Sequence, residues 1–327
     1  MARTKHFHQF NQTLPDVGGK VFVITGTTSG TGFVAARTVA EHGGEAVLLN
    51  RPSKRVDAML QALKEAVPEG KFVTIACDLQ SFESVRNAAA EVKRRYDRIY
   101  CLSNNAGIMA TPDEATVDGY DTQMQTNHLS HFLLTAELLP LLEAEAAASG
   151  DARVVNHSSF GRLHTPDKKL EEKYFGKNGG NLGGNEVGMM SGASFYRYFQ
   201  TKLANSVFTQ GLTQKLGAKG SKVRAVCAHP GGSDTKLGDH MELGFFMNMM
   251  MKIMGPLMIQ SAEDGAMGLL TGMMASDAKP GVLYGPKNNG TKGKAVPVAL
   301  ESYETDPAGI DMLWRTSEAA TGVQLLA

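Results

Sequence analysis

The feature that most constrains this chain is a regular alternation, from Lys20 onward, of short apolar runs with longer segments of helical spacing. We predict strands from the apolar runs at 21–25, 46–49, 72–77, 99–103, 153–156, 223–228 and 282–284. Strands that are separated by helices need right-handed crossovers, and such units build a parallel sheet that helices cover on both faces. The alternation therefore predicts an α/β fold with a single doubly wound parallel sheet.

The helical segments between these strands are predicted at 33–42, 56–67, 81–95, 123–142, 197–216 and 262–275. Neither an internal repeat nor a linker rich in Pro, Gly and Ser divides the 327 residues. We therefore expect an N-terminal arm over 1–18 and one Rossmann-type domain over 19–327.

Two segments interrupt the alternation. One is a Gly-rich insertion at 160–195, which fits either a lid over the substrate mouth or a disordered surface insertion, and the other is a Met-rich substrate loop at 236–260.

Charge and cysteine content exclude several classes of function. The 33 Lys and Arg residues balance the 33 Asp and Glu residues, so the chain has no net field with which to bind nucleic acid. Cys77, Cys101 and Cys227 are scattered in apolar runs, which indicates buried thiols and neither a disulfide framework nor a metal site. The sequence contains no run of about 18 apolar residues, which is the length that a membrane-spanning helix needs. We expect a cytoplasmic protein, and the basic N-terminus leaves import into an organelle open.

The first strand runs directly into a glycine-rich turn and then into a helix. A dinucleotide pyrophosphate needs this arrangement, because glycines let the backbone approach the phosphates and the helix N-terminus offers free N–H groups with a positive dipole end. The glycine spacing is G-x-x-x-G-x-G, without the lysine of a Walker loop. We predict that the cofactor contacts Gly26, Thr28, Ser29, Gly30, Thr31 and Gly32.

The end of the second strand should lie beside the adenosine ribose of the cofactor. A carboxylate there binds the 2′-hydroxyl group of NAD, whereas a cation accepts the 2′-phosphate of NADP. Here Arg51 ends the strand, Lys54 and Arg55 follow, and no acid is present among them. A solvated cationic loop is the alternative interpretation. We predict NADP(H) as the cofactor, with the guanidinium of Arg51 on the 2′-phosphate.

Tyr198 and Lys202 are four residues apart on a predicted helix, so the phenol and the ammonium project from the same face. A free tyrosine titrates near pH 10, and a nearby cation lowers that pKa. Such a pair can pass a proton to a carbonyl oxygen as hydride arrives, or take it back from an alcohol. Alone, this spacing is more typical of an ordinary surface pair. Tyr196 is a weaker candidate, because its i+4 neighbour is the uncharged Gln200.

Together with Asn105-Ala106-Gly107 after the fourth strand and Ser158-Ser159 after the fifth, these motifs resemble the short-chain dehydrogenase/reductase family over residues 20–284. The sequences at 49–51, 127–132, 201–205 and 313–318 are most similar to the branch of retinol dehydrogenases and protochlorophyllide reductases, which extends the resemblance almost to the C-terminus. In one respect the chain differs from the compact family pattern, since 39 positions separate Ser159 from Tyr198.

The resemblance implies a role for each matching residue. Tyr198 would exchange the proton, Lys202 would lower its pKa and hold the nicotinamide ribose, and Ser159, in preference to Ser158, would bind the substrate oxygen. Asn127 would help to hold a water-mediated proton relay. Further cofactor contacts are implied at Asp78, Leu79, Asn105, Ala106, Gly107, Pro230, Gly231 and Thr235. For Asn105 a structural tie between strands, for Asp78 a capping role and for His229 simple packing are the alternatives.

The Met-rich loop follows the Pro230-Gly231 turn, where this family has its substrate-binding loop. Methionine is flexible and polarisable and suits large or varied apolar partners. Three interpretations stay open for the loop. It could cap a large hydrophobic substrate, touch a membrane surface weakly, or form buried packing or the face of a homo-oligomer.

These inferences together predict an NADP(H)-dependent oxidoreductase that interconverts a carbonyl and an alcohol on a fairly large apolar substrate. Hydride would move between the nicotinamide and the substrate carbon, and the proton would pass through Tyr198. Two alternatives stay open: reduction of a C=C bond, as in protochlorophyllide reductase, and a non-catalytic sensor or scaffold that binds NADPH.

Overall fold

The computed structural model describes residues 2–188, 191–232, 259–288 and 290–326. Within these residues, eight strands form one sheet in the order β3-β2-β1-β4-β5-β6-β7-β8. The strands are β1 (Val21–Thr25), β2 (Glu45–Asn50), β3 (Lys71–Ala76), β4 (Cys101–Asn104), β5 (Ala152–His157), β6 (Val223–Ala228), β7 (Leu283–Asn288) and β8 (Lys292–Val298). The strand order reverses direction between β1 and β4, which is the arrangement of a doubly wound sheet.

The first seven strands are parallel and β8 is antiparallel to β7. The predicted parallel sheet is thus confirmed, with one antiparallel edge strand added to it. The sequence did not predict β8 because Pro297 interrupts it and its residues do not alternate cleanly between apolar and polar. A proline is tolerated there since β8 is an edge strand of the described sheet.

Helices cover both faces of the sheet. In the described residues they are α1 (Phe7–Asn11), α2 (Gly30–Glu41), α3 (Lys54–Ala66), α4 (Phe82–Arg95), α5 (Thr122–Met124), α6 (Ser130–Ser149), α7 (Ala193–Ala218), α8 (Ala262–Met274) and α9 (Pro307–Thr321). Successive β1 residues serve opposite layers: Phe22 and Ile24 pack with α2, α3 and α8, whereas Val23 packs with α4, α6, α7 and α9. Within the described residues, no helix is long and apolar enough to cross a membrane.

The residues before β1 are held against the domain by a buried carboxylate. Asp264, near the start of α8, accepts hydrogen bonds from the backbone N–H groups of Lys5, His6 and Phe7, each at 2.9 Å. The Phe7 side chain is 2% exposed and belongs to the same apolar layer as α8. Residues 5–7 are therefore part of the packed structure.

Replacing Asp264 by alanine should leave these three donors without their acceptor. We expect the free energy of unfolding to fall by about 1–3 kcal/mol, because a buried donor that loses its partner costs about that much. Thermal denaturation of Asp264→Ala beside Asp277→Ala, at an exposed position just beyond α8, would measure the difference. Equal melting temperatures for the two variants would show that the contact contributes nothing.

Candidate active site

A single cleft lies along the carboxyl ends of β1, β2, β4 and β5, where ligands bind in doubly wound sheets. Its volume is about 410 Å³. The predicted site residues that line it are Gly26, Thr28, Ser29, Gly30, Thr31, Arg51, Asp78, Leu79, Asn105, Ala106, Gly107, Tyr198, Lys202 and Pro230. The structure therefore brings most of the predicted set to one place.

The glycine-rich turn has backbone geometry and packing that only glycine allows at two of its positions. Gly26 has a φ of +70°, and a Cβ there would lie 2.8 Å from the Cα of Ala106. A Cβ at Gly32 would lie 2.3 Å from the carbonyl oxygen of Gly26 and 2.5 Å from Nδ2 of Asn105. Gly32 thus does not line the cleft but lets α2 pack under the turn.

The side-chain amide of Asn105 joins three strand ends. Its Nδ2 donates to the carbonyl oxygens of Thr25, at 2.9 Å, and Gly26, at 3.2 Å. Its Oδ1 accepts from Oγ1 of Thr31, at 2.9 Å, and lies 2.8 Å from Nδ1 of His157. Because that oxygen can only accept, Nδ1 of His157 bears the proton. The predicted alternative of a structural tie is what the structure shows for Asn105.

Other residues of this polar network were not predicted from the sequence. The hydroxyl of Thr25 accepts from the backbone N–H groups of Asn105 and Ala106, and His131 lies 2.9 Å from it. Asn50, at the end of β2, accepts from the N–H of Thr27 and donates to its hydroxyl. Thr25 and Asn50 are the last residues of β1 and β2. A polar residue at or just after the end of a predicted strand is the one sequence signal that could have identified them.

At the adenosine end of the cleft, Arg51 is exposed and lines the cavity beside Ser53 and Arg55. Lys54 is also exposed but does not line the cavity. Across the cleft, Oδ1 of Asp78 accepts from the N–H of Gln80 at 3.0 Å, so this carboxylate also stabilises its own turn. Two guanidinium groups therefore stand where the sequence predicted one.

At the other end, Tyr198, Lys202 and Ser159 meet. Tyr198 is 3% exposed, and the hydroxyl of Ser159 lies close enough to the phenol to oppose in part the rise of the Tyr198 pKa. Nζ of Lys202 lies 5.7 Å from the centre of the Tyr198 ring and donates to the carbonyl oxygen of His157 at 3.1 Å. Ser158 points away, since its hydroxyl donates to the carbonyl oxygen of Lys202 at 2.6 Å. Ser158 nevertheless lines the cleft and Ser159 does not, so the choice of Ser159 as the catalytic hydroxyl stays a prediction.

Burial dominates the ionisation of these groups. It raises the pKa of Tyr198 to about 12, opposed only in part by the hydrogen bond from Ser159. Burial also lowers the pKa of Lys202 to about 8. The net shift of the tyrosine pKa is upward, opposite to the predicted direction, because desolvation outweighs the effect of Lys202, whose ammonium donates to the carbonyl oxygen of His157. At neutral pH the phenol is therefore protonated.

Asn127 is fully buried on the π-helical turn Gln125–Leu129. Its Oδ1 accepts from the N–H of Ile108 at 2.8 Å, and its Nδ2 donates to the carbonyl oxygen of Ile108 and to Oγ1 of Thr201, both at 2.9 Å. The side chain thus fixes the loop after β4 against α7. The relay role that the resemblance implies for Asn127 stays a prediction.

Near the nicotinamide end, a Cβ at Gly231 would lie 2.3 Å from the carbonyl oxygen of Thr291, so this glycine packs on the β7–β8 hairpin. His229 is 1% exposed, in agreement with a packing role. Residues 233–258 lie outside the described residues. They include Thr235 and most of the Met-rich loop predicted at 236–260.

The Gly-rich insertion at 160–195 is organised by buried charges in its described part. The carboxylate of Asp113 accepts from the N–H groups of Gly180, Leu182 and Gly184 at 2.7–3.0 Å. The fully buried Arg197 donates to the carbonyl oxygen of Gly184 at 2.8 Å and pairs with Asp121 at 3.2 Å. The described part of the insertion is therefore held by specific contacts, and a lid over the substrate mouth stays a prediction.

Comparisons with known proteins agree with this site. A family model described as short chain dehydrogenase matches residues 20–166. The short-chain dehydrogenase/reductase drtF of Aspergillus calidoustus is 31% identical over 251 residues, which cover 74% of this chain and 76% of that protein. Retinol dehydrogenase 12 of Mus musculus is 28% identical over 312 residues, which cover 94% of this chain and 88% of that protein.

Among solved structures, an uncharacterised protein from Mycobacterium paratuberculosis is similar, with a TM-score of 0.74 and 30% identity over 96% of this chain and 98% of the other. The chain belongs to the short-chain dehydrogenase/reductase family, an oxidoreductase family that binds nicotinamide cofactors. The predicted resemblance is confirmed, and the retinol dehydrogenase relative agrees with the predicted branch.

The packing of the glycine-rich turn generates a test with a matched control. Gly32→Ala should lower the free energy of unfolding by about 1–3 kcal/mol, the cost of overpacking, and should weaken dinucleotide binding by displacing Asn105. Gly217→Ala adds the same methyl group at an exposed helical position with open space around it, and should stabilise α7 by up to about 1 kcal/mol. Denaturation and titration with NADPH would measure both effects. Similar values for the two variants would contradict the close packing.

Proposed function

We propose that this protein is an NADP(H)-dependent oxidoreductase that interconverts a carbonyl and an alcohol on a fairly large apolar substrate. The observation that carries the proposal is a cleft that Tyr198 and Lys202 line at one end, with Ser159 beside the phenol, and that the glycine-rich turn and two arginines line at the other end. The residues fit a dinucleotide because a turn with glycines at 26 and 30 meets the start of α2, where N–H groups point outward.

Catalysis by these residues follows from their protonation. When bound, the nicotinamide supplies or accepts hydride. Tyr198, with a pKa near 12, is protonated at neutral pH and donates the proton to a carbonyl oxygen in the reduction, and the same phenol takes the proton back in the oxidation. Ser159 donates to the same oxygen and orients it. Lys202, still mostly protonated at pH 7, stabilises the negative charge that develops on the phenol and holds the ribose.

The preference for NADP(H) is inferred from Arg51 and Arg55. Both line the adenosine end of the cleft, and the residues at 50–55 include no acid that would repel a 2′-phosphate. A guanidinium group matches phosphate oxygens in a forked, charge-assisted geometry. Asp78, the one carboxylate that lines the cleft within the described residues, comes after β3 and not after β2.

The apolar character of the substrate is inferred from the surroundings of Tyr198. Ala110, Phe195 and Phe199 pack around the phenol, and Met109 and Tyr196 lie against them. A large apolar substrate would extend this surface. The relationship to a retinol dehydrogenase, a protein named for a large apolar alcohol, supports the same class. Cytoplasmic location, a homo-oligomer and weak contact with a membrane surface stay predictions.

The first test is the phenol itself. Tyr198→Phe should lower turnover about 10²–10⁴-fold, the range for loss of a general acid, while NADPH still binds. Tyr196→Phe, two residues earlier on the same helix and in the same aromatic group, is the matched control and should keep its activity. NADPH oxidation would be followed by absorbance with retinal, steroid ketones and quinones. Turnover that survives in Tyr198→Phe would exclude this mechanism and favour C=C reduction.

The second test concerns the cofactor. Arg51→Asp should raise the Kd for NADPH about 10- to 100-fold, because hydrogen bonds to charged groups contribute about 1.5–3 kcal/mol, and should change the Kd for NADH little. Lys54→Asp makes the same charge change on a side chain that does not line the cleft and should have a small effect on both. Fluorescence titration would give the constants. Equal losses for NADPH and NADH would contradict the assignment.

A further inference from the structure

A carboxylate far along the chain from the active site is completely buried beside it. Glu304 is 0% exposed and ends the short helical turn Ser302–Glu304, which follows β8. Its Oε1 accepts from Nε of Arg162 at 2.8 Å and from Oγ of Ser206 at 2.5 Å. Its Oε2 accepts from the N–H of Glu301 at 2.8 Å. We call Arg162, Ser206 and Glu304 the Glu304 cluster.

The two side-chain partners of Glu304 belong to the two elements that position the proposed proton donor. Arg162 lies in the turn Phe160–His164, whose N-cap is Ser159, and it also reaches the carbonyl oxygen of Ser159 at 3.4 Å. Ser206 lies on α7, one helical turn after Lys202. One carboxylate therefore ties the turn of Ser159 to the helix of Tyr198 and Lys202.

The turn and the helix touch directly at the phenol. A Cβ at Gly161 would lie 3.2 Å from Cε1 of Tyr198 and 2.9 Å from Cδ1 of Phe199. A small displacement of the turn would therefore change the distance between the hydroxyl of Ser159 and the phenol of Tyr198. Such displacements matter for catalysis, because an error of about 1 Å in the placement of reacting groups can cost about 10²-fold in rate.

The burial of both charges also holds the Glu304 cluster together. The Arg162 side chain is 2% exposed and that of Glu304 is 0% exposed, so neither charge has water to replace its partner. Removing one member of a buried ion pair leaves an uncompensated charge, and the surrounding structure moves to relieve it. The element that would move is the turn between Ser159 and Arg162.

We propose that Glu304 is a positioning residue for the reaction: through Arg162 and Ser206 it sets the distance between the hydroxyl of Ser159 and the phenol of Tyr198. The inference rests on the proposed function. The family model ends at residue 166, so Glu304 lies outside the region that it matches.

The test compares Glu304→Gln with a change in a remote ion pair whose arginine is buried. Glu304→Gln keeps the shape but removes the charge, and should lower kcat on the order of 10²-fold while the KM and Kd for NADPH stay close to those of the wild type. Asp151→Asn weakens the pair between Asp151 and the buried Arg153 at the opposite end of β5. It should lower the melting temperature and leave kcat unchanged. Loss of kcat in both variants in proportion to lost stability would overturn the proposal.

A second variant keeps the proposal testable if the Glu304→Gln protein does not fold. Ser206→Ala removes one donor without leaving a buried charge unpaired, and should lower kcat by a smaller factor, on the order of tenfold. Glu304→Asp, which keeps the charge on a shorter side chain, should recover part of the activity that Glu304→Gln loses. Wild-type kcat in Ser206→Ala, or an Asp variant no better than the Gln variant, would contradict positioning by the cluster.

Hydrogen–deuterium exchange separates failure of this inference from failure of the proposed function. In Glu304→Gln, or in Ser206→Ala if the Gln variant does not fold, the amides of 159–164 should exchange faster than in the wild type, while those of β6 should not. In Asp151→Asn the 159–164 peptide should stay protected. Unchanged exchange there would overturn the role of Glu304 whatever the activity, whereas a wild-type protein inactive on every substrate would refute the proposed function alone.

Discussion

The side-chain amide of Asn105 is the interaction on which the architecture of the cleft depends. Its two donors hold the carbonyl oxygens of Thr25 and Gly26, and its oxygen accepts from Thr31 and His157. The end of β1, the start of α2 and the end of β5 are therefore fixed by one planar group. A buried amide with all its partners satisfied is rigid, because any rotation would leave several buried polar groups unpaired. The glycines at 26 and 32 are the steric condition for this arrangement, since side chains there would occupy the space of Ala106 and of Asn105 itself.

Burial sets the chemistry at the other end of the cleft. Desolvation raises the pKa of Tyr198 and lowers that of Lys202, so the two groups approach neutrality together. His157 and His131 are likewise held neutral, with pKa values lowered to about 3 and about 4 by burial. The site thus keeps Lys202 as its main cation and avoids competing charges near the phenol. A protonated tyrosine beside a partly charged lysine is suited to deliver a proton in the reduction and to take it back in the oxidation.

Much of this could be predicted from the sequence, because the signals were local. The strands β1 and β6 and the helix predicted at 81–95 depend on hydrophobic period, and all three are confirmed, with Ser81 as the N-cap of α4. Other features depend on partners far along the chain. The strand β8 pairs with β7 despite Pro297, and α9 packs against an apolar layer that other helices largely form. Neither element therefore has a strong hydrophobic pattern of its own. The upward shift of the Tyr198 pKa could not be predicted from helical spacing, because spacing shows which residues share a face but not how deeply they are buried.

The two ends of the cleft are stabilised by different physical means. Around the glycine-rich turn, close backbone packing and neutral amides and hydroxyls make the contacts. Around Tyr198, buried ion pairs do so: Arg197 with Asp121 on one side and Arg162 with Glu304 on the other. Buried pairs contribute little net stability, since desolvation offsets their attraction, but they tolerate few alternative geometries. Such pairs are therefore suited to hold the long insertion and the C-terminal turn, which lack the regular backbone hydrogen bonds of the sheet, in one arrangement.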